Sequence, residues 1–419
     1  FQYMALKGKP YNIVMYSHDT YGLGHIRRTM AIASQLRSPK TNVLILTGSP
    51  IAGRFSFPEQ VDFVRIPGMI KKTNEEYLPL SIKINAGHAL DIRKKIIIAT
   101  VKAFQPHLFL VDKEPMGLKK EILPTLKWLR KCCPNTRTVL GLRDIMDDAA
   151  VVRDNWKKKG IYQALDTYYS EIWTYGIQDF YDPIKAYGIP ESIRRKIKFT
   201  GYIPRAIKSK KDAIRERKRH KIRQADKLVV VTTGGGGDGY PVMDAYLSML
   251  EHQGSMVPYQ SILITGPFMP KSQRKDIFKR SKKLKIKVFH FYRQMEKILA
   301  AADLVISMGG YNTVCELMSQ KTVSLLIPRD TPRLEQTLRA QCFAQRNLLD
   351  YIPWNRVSPE LLHKKVDHLL QNPEVFQDGM SAFKMTGFDI MRQRIQDFRK
   401  QNWDNSCYNL DRQRECVSR

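Results

Sequence analysis

The stretch LVISMGGYNT, residues 304–313, passes from a short apolar segment through a glycine pair into the start of a helix. Its Leu, Val and Ile residues favour a buried strand, and Gly309 and Gly310 permit a tight turn with close backbone approach. We predict that the helix begins near Tyr311. A buried strand that turns directly into a helix is the repeating unit of α/β folds, and ligands bind at such turns.

The polar residues at the start of this helix allow two interpretations. Asn312 and Glu316 are four residues apart and therefore project from one face. In the first interpretation, Asn312 and Thr313 donate hydrogen bonds to phosphate and Glu316 accepts from two vicinal hydroxyls, as on a ribose. In the second, Asn312 caps the helix and Glu316 balances the helix dipole. The turn alone does not decide between them.

Apolar strands alternate with amphipathic segments along most of the chain, and the pattern restarts after residue 224. Val/Ile/Leu-rich strands separated by helices, such as the helix predicted at 26–36, indicate a parallel sheet covered on both faces. We therefore predict an α/β protein with two Rossmann-like, doubly wound domains. The predicted strands are 11–17, 42–47, 107–111 and 138–142, then 227–231, 261–265, 287–289, 304–307 and 324–327.

The predicted boundary between the domains lies in the basic segment 205–223, which holds ten Lys or Arg residues and two acids. Such a segment is typical of a solvated helix or linker, and it could also form an anion-binding strip. The predicted domains are residues 1–204, a basic linker at 205–226, residues 227–385, and a C-terminal helix and polar tail at 386–419.

The charge of the chain concerns its partners rather than its fold. The 419 residues include 70 Lys and Arg against 40 Asp and Glu, a formal net charge of +30. Anionic lipid, nucleotide phosphate, anionic glycan and nucleic acid are all candidate partners. No apolar run approaches the roughly 18 residues of a transmembrane helix, no signal-peptide pattern is present, and the six cysteines show no metal or disulfide spacing. We expect a cytoplasmic protein.

A second glycine-rich turn, residues 232–239, directly follows the predicted strand 227–231 and precedes a helix. Its glycines, Gly234, Gly235 and Gly236 among them, would let backbone N–H groups approach a phosphate. The turn lacks the Gly-Lys-Ser/Thr of a Walker A loop and does not match the GxGxxG dinucleotide pattern. A flexible loop without a ligand is the alternative interpretation.

The next predicted strand ends in Pro328-Arg329, and Glu335-Gln336 follow after a short loop. This order of strand, GG-x-N-T-x-x-E, helix, strand, Pro and Glu-Gln resembles the donor-site signature of nucleotide-sugar glycosyltransferases with the GT-B fold. It is similar to the bacterial N-acetylglucosaminyltransferases that make the peptidoglycan lipid precursor, and more loosely to the plant UDP-glycosyltransferases. The chain as a whole also resembles a bacterial group known only as predicted glycosyltransferases, which share the Arg143-Asp144 region and the segment 200–204. The GT-B fold implies two Rossmann-like domains facing a cleft.

The resemblance assigns roles to residues of the second domain. The plant signature begins with a histidine that contacts phosphate, and Met308 stands there instead, so backbone amides and the turn at 232–239 would hold the phosphates. The implied donor-binding groups are Gly309, Gly310, Asn312 and Thr313 for the pyrophosphate, Glu316 for the ribose, Glu335 and Gln336 for the donor sugar, and the backbone of Phe291 and Tyr292 for the base.

The first domain contains a matching loop after its first strand, Tyr21-Gly22-Leu23-Gly24-His25. The resemblance places its histidine on the acceptor side. A neutral imidazole can take a proton from a hydroxyl, so His25 is the candidate general base, although a lone histidine is often structural. Gly24, Arg27 and Arg28 would add acceptor-side contacts.

Acidic residues follow two strands of the first domain. An aspartate there could orient His25 or act as the base itself, and we name Asp144 as a catalytic candidate and Asp112 as an acceptor-side one. Helix capping and surface ion pairs are the alternative roles. The acids concerned are Asp112, Glu114, Asp144, Asp147 and Asp148.

The expected function is transfer of a hexose or N-acetylhexosamine from a nucleoside diphosphate donor to an acceptor hydroxyl. The resemblance implies UDP as the nucleotide and inversion at the anomeric carbon. We expect no cofactor and no metal ion. The acceptor could be lipid-linked or an anionic glycan. A UDP-N-acetylglucosamine 2-epimerase is an alternative, because residues 328–333 are similar to that family's sugar-binding loop, but the first loop does not match. A nucleic-acid binder is another, but no nucleic-acid motif is present.

The segment 93–98, Arg-Lys-Lys-Ile-Ile-Ile, pairs cations with apolar residues as interfacial helices do. It predicts a peripheral contact with the inner face of an anionic membrane. A buried helix with a basic edge is the alternative interpretation.

Overall fold

The structure is a computed structural model that describes residues 10–18, 24–71, 76–254 and 257–402. The described chain divides into two compact units. Unit 1 comprises the residues up to Asp144, Ala149–Gly201 and the residues from Thr386 onward, and unit 2 comprises Ile145–Asp148 and Tyr202–Met385. The predicted loop residues Tyr21–Leu23 and the predicted polar tail after Asn402 lie outside the described residues.

The described residues of unit 1 form a parallel sheet, the helices that cover it and one short hairpin. The strands are β1 (Tyr11–Ser17), β2 (Thr41–Thr47), β3 (Val61–Arg65), β4 (Met69–Lys71), β5 (Tyr77–Pro79), β6 (Leu108–Asp112), β7 (Arg137–Arg143), β8 (Glu171–Tyr175) and β9 (Ile197–Phe199). The helices are α1 (Gly24–Leu36), α2 (Ala86–Phe104), α3 (Leu123–Cys132), α4 (Ala149–Lys159), α5 (Ile161–Tyr168), α6 (Pro183–Ala186) and α7 (Glu191–Arg194), and the C-terminal helix Gly387–Asn402 also belongs to this unit.

The sheet of unit 1 has the strand order β3-β2-β1-β6-β7-β8-β9, and all of its pairings are parallel. Its central strands are fully covered, with Ile13 and Val111 completely buried. The chain winds outward from β1 in one direction and from β6 in the other. The gap between the ends of β1 and β6 is therefore the topological switch point, where ligands bind in such sheets.

Unit 2 repeats this architecture. Its strands are β10 (Lys227–Thr232), β11 (Tyr259–Ile264), β12 (Lys287–Phe289), β13 (Leu304–Ser307), β14 (Ser324–Leu326) and β15 (Asp350–Tyr351). Its helices are α8 (Lys210–Arg219), α9 (Tyr240–Gln253), α10 (Lys271–Lys283), α11 (Met295–Ala301), α12 (Tyr311–Gln320), α13 (Glu335–Ala344), α14 (Pro359–Gln371) and α15 (Gln377–Ala382), and the C-terminal helix of unit 1 is α16.

The sheet of unit 2 is also parallel, with the order β12-β11-β10-β13-β14-β15. Here the order reverses between β10 and β13, so the switch point lies at the ends of these two strands. The two doubly wound α/β units confirm the predicted fold class. Both glycine-rich turns singled out in the sequence, 232–239 and 308–310, leave the sheet at this switch point.

The domain limits differ from the predicted ones. Unit 1 ends at Gly201 rather than at residue 204, and it regains the chain at Thr386, where α16 returns to it. The predicted linker, 205–226, is part of unit 2, because α8 packs against α11. Buried Arg217 fixes this packing by donating to the carbonyl oxygen of Ala301 at 3.0 Å and to Asp303 at 2.5 Å.

The segment 93–98, predicted to lie at a membrane surface, is the middle of α2, and its key cation faces inward. Arg93 is completely buried and makes a bidentate ion pair with Glu121, at 2.6 Å from both Nε and Nη2. Tyr16 donates to the same carboxylate, and Ile97 is also buried. This part of α2 is thus a core helix with a basic edge. In the described ranges, no helix combines the length and apolar character that crossing a bilayer requires.

Candidate active site

The glycine-rich turns of unit 2 meet at its switch point. A Cβ placed on Gly234 would lie 3.9 Å from the hydroxyl of Thr313, so the turn after β10 lies beside the first turn of α12. Gly236 has a φ of +84°, and a Cβ there would overlap the carbonyl oxygen of Thr265. Gly309 also has a positive φ, +96°. Only glycine fits such positions without strain, so the backbone itself can line this part of the site.

The N-terminus of α12 is open to an anion. Gly310 is its N-cap residue, no described side chain caps the helix, and its first turn contains no acid. The first N–H groups of a helix have no intrahelical partner and carry partial positive charge. Asn312 lies beyond the cap position and accepts from Arg205 Nη2 at 2.7 Å. Helix capping therefore does not explain Asn312.

Two acids and an amide lie next to this open helix end. Glu316, on α12, and Glu335 and Gln336, at the start of α13, are 6 %, 7 % and 8 % exposed. A Cβ on Gly309 would lie 3.5 Å from the Gln336 carbonyl oxygen, which shows that the start of α13 adjoins the turn after β13. The Gln336 side-chain amide fits with its nitrogen donating to Met308 O at 2.8 Å. The predicted phosphate, ribose and sugar groups of unit 2 thus lie on adjoining segments.

In unit 1, His25 and Asp112 meet at the other switch point. His25 lies in the first turn of α1, the next helix after β1 in the chain, and Asp112 is the last residue of β6. The Nδ1 atom of His25 is 2.5 Å from Asp112 Oδ2. Arg28, one turn further along α1, donates to the same carboxylate through Nη2 at 2.8 Å to both oxygens and through Nε at 3.1 Å. His25 remains 19 % exposed, whereas Asp112 and Arg28 are buried.

The electrostatics of this cluster favour one tautomer of His25. Burial alone would raise the pKa of Asp112, but the charges of Arg28 and His25 and their hydrogen bonds outweigh it and hold this pKa well below its usual range. The ionised carboxylate can only accept, and Arg28 can only donate. The short contact therefore requires the proton on His25 Nδ1, which leaves Nε2 of the neutral ring as a proton acceptor.

A second histidine borders this cluster. The ring of His18 lies 4.9 Å from that of His25, and burial, reinforced by the charge of His25, lowers the pKa of His18 to about 3. Glu114 is also close: burial opposes its ionisation, but Lys113 and His18 lower its pKa to about 2. His18 is therefore neutral and Glu114 is charged near neutral pH.

Comparison with known proteins agrees with the geometry of unit 2. Residues 229–395 match the model of the glycosyltransferase family 28 C-terminal domain. They begin in β10, include both glycine-rich turns and end in α16.

A curated relative from Alkaliphilus oremlandii, "UDP-N-acetylglucosamine--N-acetylmuramyl-(pentapeptide) pyrophosphoryl-undecaprenol N-acetylglucosamine transferase", is 27 % identical over 172 residues, which are 41 % of this chain and 47 % of the relative. The chain thus spans about half the length of that relative.

Solved glycosyltransferase structures have a similar fold to this chain over nearly its whole length. MurG of Acinetobacter baumannii has a TM-score of 0.57 at 15 % identity and covers 93 % of this chain and 100 % of its own. A UDP-glucosyltransferase from Polygonum tinctorium has a TM-score of 0.64 at 10 % identity, with 94 % and 100 % covered. At these identities the likeness shows the fold alone. Together with the family 28 domain, it confirms the predicted resemblance to MurG-like proteins and the GT-B fold.

Three arginines of unit 2 contact residues of this site. Arg205 and Arg329 lie in segments that the sequence analysis considered for anion and sugar binding, whereas Arg339 was not predicted. Arg205 contacts Asn312. Arg329 pairs with Asp238 at 2.9 Å and lies 3.6 Å from Glu335, which links the turn after β10 to α13. Buried Arg339 donates to the Gly309 carbonyl oxygen at 3.0 Å and braces that turn. Arg339 is one helical turn after Glu335. This spacing places both on one helix face and is the sequence feature from which Arg339 could have been predicted as a site residue.

The two residues predicted to present backbone to the base, Phe291 and Tyr292, differ in the exposure of their side chains. Phe291 is 55 % exposed. The Tyr292 side chain is buried, donates to Glu216 and contacts His220 Nε2 at 2.6 Å. Its side chain therefore serves the packing of α8, and only its backbone remains for the predicted contact with the base.

Three predicted residues of unit 1, Arg28, Asp112 and Asp144, are buried charged side chains. Arg28 is committed to Asp112 and buried, so it is not the anion-binding cation predicted for the acceptor side. Asp144 is completely buried, and its carboxylate packs against Gly176. Asp112, predicted for the acceptor side and as one of the aspartates that could orient His25, is the acid that contacts His25. Gly24, exposed, and Arg27, half-buried, begin α1.

Proposed function

We propose that this protein transfers a sugar from a nucleoside diphosphate donor to an acceptor hydroxyl, with unit 2 binding the donor and His25 taking the proton. The single observation that carries the proposal is the open N-terminus of α12, which meets the glycine turn after β10 at the switch point. Glu316 and Glu335 lie beside it.

The geometry of unit 2 supports a diphosphate leaving group. When the bond to the sugar breaks, negative charge develops on the nucleoside diphosphate. Preorganised N–H groups at a helix N-terminus stabilise such charge without reorganising. Arg205, held at Asn312, adds a cation close to the same helix end. Glu316 would accept from the ribose hydroxyls, and Glu335 and Gln336 would bind the hydroxyls of the donor sugar.

The cluster in unit 1 supports general-base catalysis. His25 Nε2 would accept the proton of the acceptor hydroxyl as that oxygen attacks the anomeric carbon. The resulting imidazolium is stabilised by Asp112, which contacts Nδ1 directly. Arg28 keeps Asp112 ionised and fixes its orientation.

The finer parts of the proposal come from the relatives. The name of the Alkaliphilus relative specifies a UDP-N-acetylglucosamine donor and a pyrophosphoryl-undecaprenol acceptor. We propose by analogy a UDP-linked hexose or N-acetylhexosamine donor, a lipid-linked or anionic glycan acceptor, and a cytoplasmic site of action at the inner face of a membrane. Inversion through a single displacement and independence from metal ions are parts of the same proposal.

A donor screen by thermal shift tests the proposal, with UDP, GDP, dTDP and CDP sugars as ligands. A ligand at one hundred times its Kd stabilises the folded state by about 2.7 kcal/mol. For a domain of the size of unit 2 this raises Tm by about 5–10 °C. Glu316→Ala should abolish the shift, and Glu374→Ala, an exposed glutamate of the same unit, should retain it. His25→Ala should keep the shift and lose turnover. If no nucleotide sugar shifts Tm, the proposal fails.

A further inference from the structure

One face of α10, in unit 2, carries lysines around a single phenylalanine. One face of the helix carries Lys271, Lys275, Phe278, Lys279 and Lys282, because each of them is three or four residues from another member of the set. All five are exposed, and Phe278 is 40 % exposed although it is a large apolar side chain. We call these five residues the α10 face.

Apolar groups continue from the α10 face onto the edge of the sheet. Phe278 lines a shallow depression together with Ile286 and Val288, and Lys279 and Lys282 form its rim. Val288 lies in β12, the edge strand of the unit 2 sheet. The phenylalanine is therefore part of a small apolar surface ringed by cations.

The lysines of the α10 face have no direct acidic partner among the described residues. Among the described residues, none of its four lysines forms an ion pair. The neighbouring acids Asp244, Glu251 and Asp276 are all directed to Arg280, at 2.5, 2.8 and 3.6 Å.

Further exposed lysines extend this positive charge, namely Lys283, Lys285 and Lys287. Burial lowers the pKa of Lys287, and the charge of Lys221 lowers it further. An anionic partner would pair with the lysines of this surface.

We propose that the α10 face docks unit 2 onto an anionic lipid surface, with its lysines among the headgroups and Phe278 in the interfacial layer. Peripheral membrane helices combine a basic polar face with aromatic or aliphatic anchors in this way. A nucleic-acid backbone would satisfy the lysines but gives no reason for the apolar depression at their centre. The inference does not depend on the proposed transferase activity.

Co-sedimentation of the full chain with vesicles tests this docking surface. We compare pure phosphatidylcholine with phosphatidylcholine containing about 30 % phosphatidylglycerol, at low salt and at about 0.15 M salt, because screening weakens surface attraction. Lysine contributes about 1 kcal/mol at an anionic surface, which is roughly fivefold in partitioning. Lys275→Gln/Lys279→Gln/Lys282→Gln should therefore weaken binding to the anionic vesicles by about 100-fold.

A matched variant separates this surface from the net charge. Lys127→Gln/Lys131→Gln/Lys157→Gln removes three exposed lysines of unit 1 and should change vesicle binding less than threefold, roughly the effect of long-range charge alone. All of these side chains are exposed, and both triple variants should melt within about 2 °C of the parent.

Phe278 provides an independent readout. Phe278→Ser should weaken binding to the anionic vesicles about tenfold, since it removes the apolar anchor. Phe278→Trp should show a blue shift of emission on anionic vesicles that the parent chain lacks. Equal recovery on both vesicle types, an equal loss in the two triple variants, or unchanged binding of Phe278→Ser would overturn the proposal. Binding to duplex DNA at concentrations at which no vesicles are bound would instead assign the face to nucleic acid and overturn it too.

Discussion

Asp112→Asn is predicted to lower turnover by about three orders of magnitude while leaving donor binding unchanged. The Asp112 carboxylate is 2.5 Å from His25 Nδ1, so the centre of the imidazolium formed during proton transfer lies about 4 Å from the negative charge. At an effective dielectric constant of about 20, this pair is worth about 4 kcal/mol. Because about 1.4 kcal/mol corresponds to a tenfold change in rate, the expected loss in kcat is about 1,000-fold.

The assay follows release of the nucleoside diphosphate at saturating donor, and calorimetry gives the donor Kd of the same variant. Asp112→Asn leaves the buried guanidinium of Arg28 without its counter-charge, which costs about 3–5 kcal/mol of folding stability. Melting curves therefore accompany the assay, which is run well below the Tm of the variant.

A double variant separates the catalytic effect of Asp112 from its structural one. Asp112 is proposed to act through His25, so His25→Ala/Asp112→Asn should be no slower than His25→Ala alone. A kcat for Asp112→Asn within tenfold of the parent, or losses that simply multiply in the double variant, would refute the assignment of Asp112 as the partner of the base.

Three further predictions concern stability and the donor site. Gly236→Ala should abolish the donor-induced Tm shift and lower the free energy of unfolding by ~1–3 kcal/mol, because φ is +84° and a Cβ would overlap backbone. The control Gly254→Ala has a similar φ, +69°, but open space around its Cβ, and should retain the shift. Arg93→Met should lower the free energy of unfolding in urea by about 3–5 kcal/mol, and Arg93→Met/Glu121→Met should recover part of it; equal losses would contradict a buried ion pair. The pKa of His18 is about 3 in the folded chain against 6.5 ordinarily. Between these pH values the unfolded chain binds more protons than the folded chain, so the free energy of unfolding falls as the pH drops. His18→Phe should remove roughly 3 kcal/mol of the stability that the parent loses between pH 7 and pH 4.

The sequence predicted the fold well where strands are purely apolar. The strand β10 and the turn after β13 were recognisable from local composition alone. The strand β8 was not predicted, because Glu171 and Trp173 interrupt its apolar pattern; buried Glu171 is neutralised by Arg394, more than two hundred residues away. A charge compensated over such a distance leaves no local signal.

The candidate site was predictable as a set of residues but not as an arrangement. Asp112 and Asp144 both lie at the ends of buried strands, and Asp144 was named as the catalytic candidate. The strand order places β6, not β7, beside β1 and brings Asp112 into contact with His25. Arg93 shows the same limit: its position among isoleucines suggested a surface anchor, and only the distant partner Glu121 explains its burial.

The central claim is tested most directly by following nucleotide sugars with phosphorus and proton NMR during incubation with the full chain and candidate lipid-linked acceptors. The account predicts that one nucleoside diphosphate is released in equal amount to a glycosylated product, and that His25→Ala binds the donor but releases none. Conversion of UDP-N-acetylglucosamine to its 2-epimer without acceptor, or release that is unchanged in His25→Ala, would contradict it.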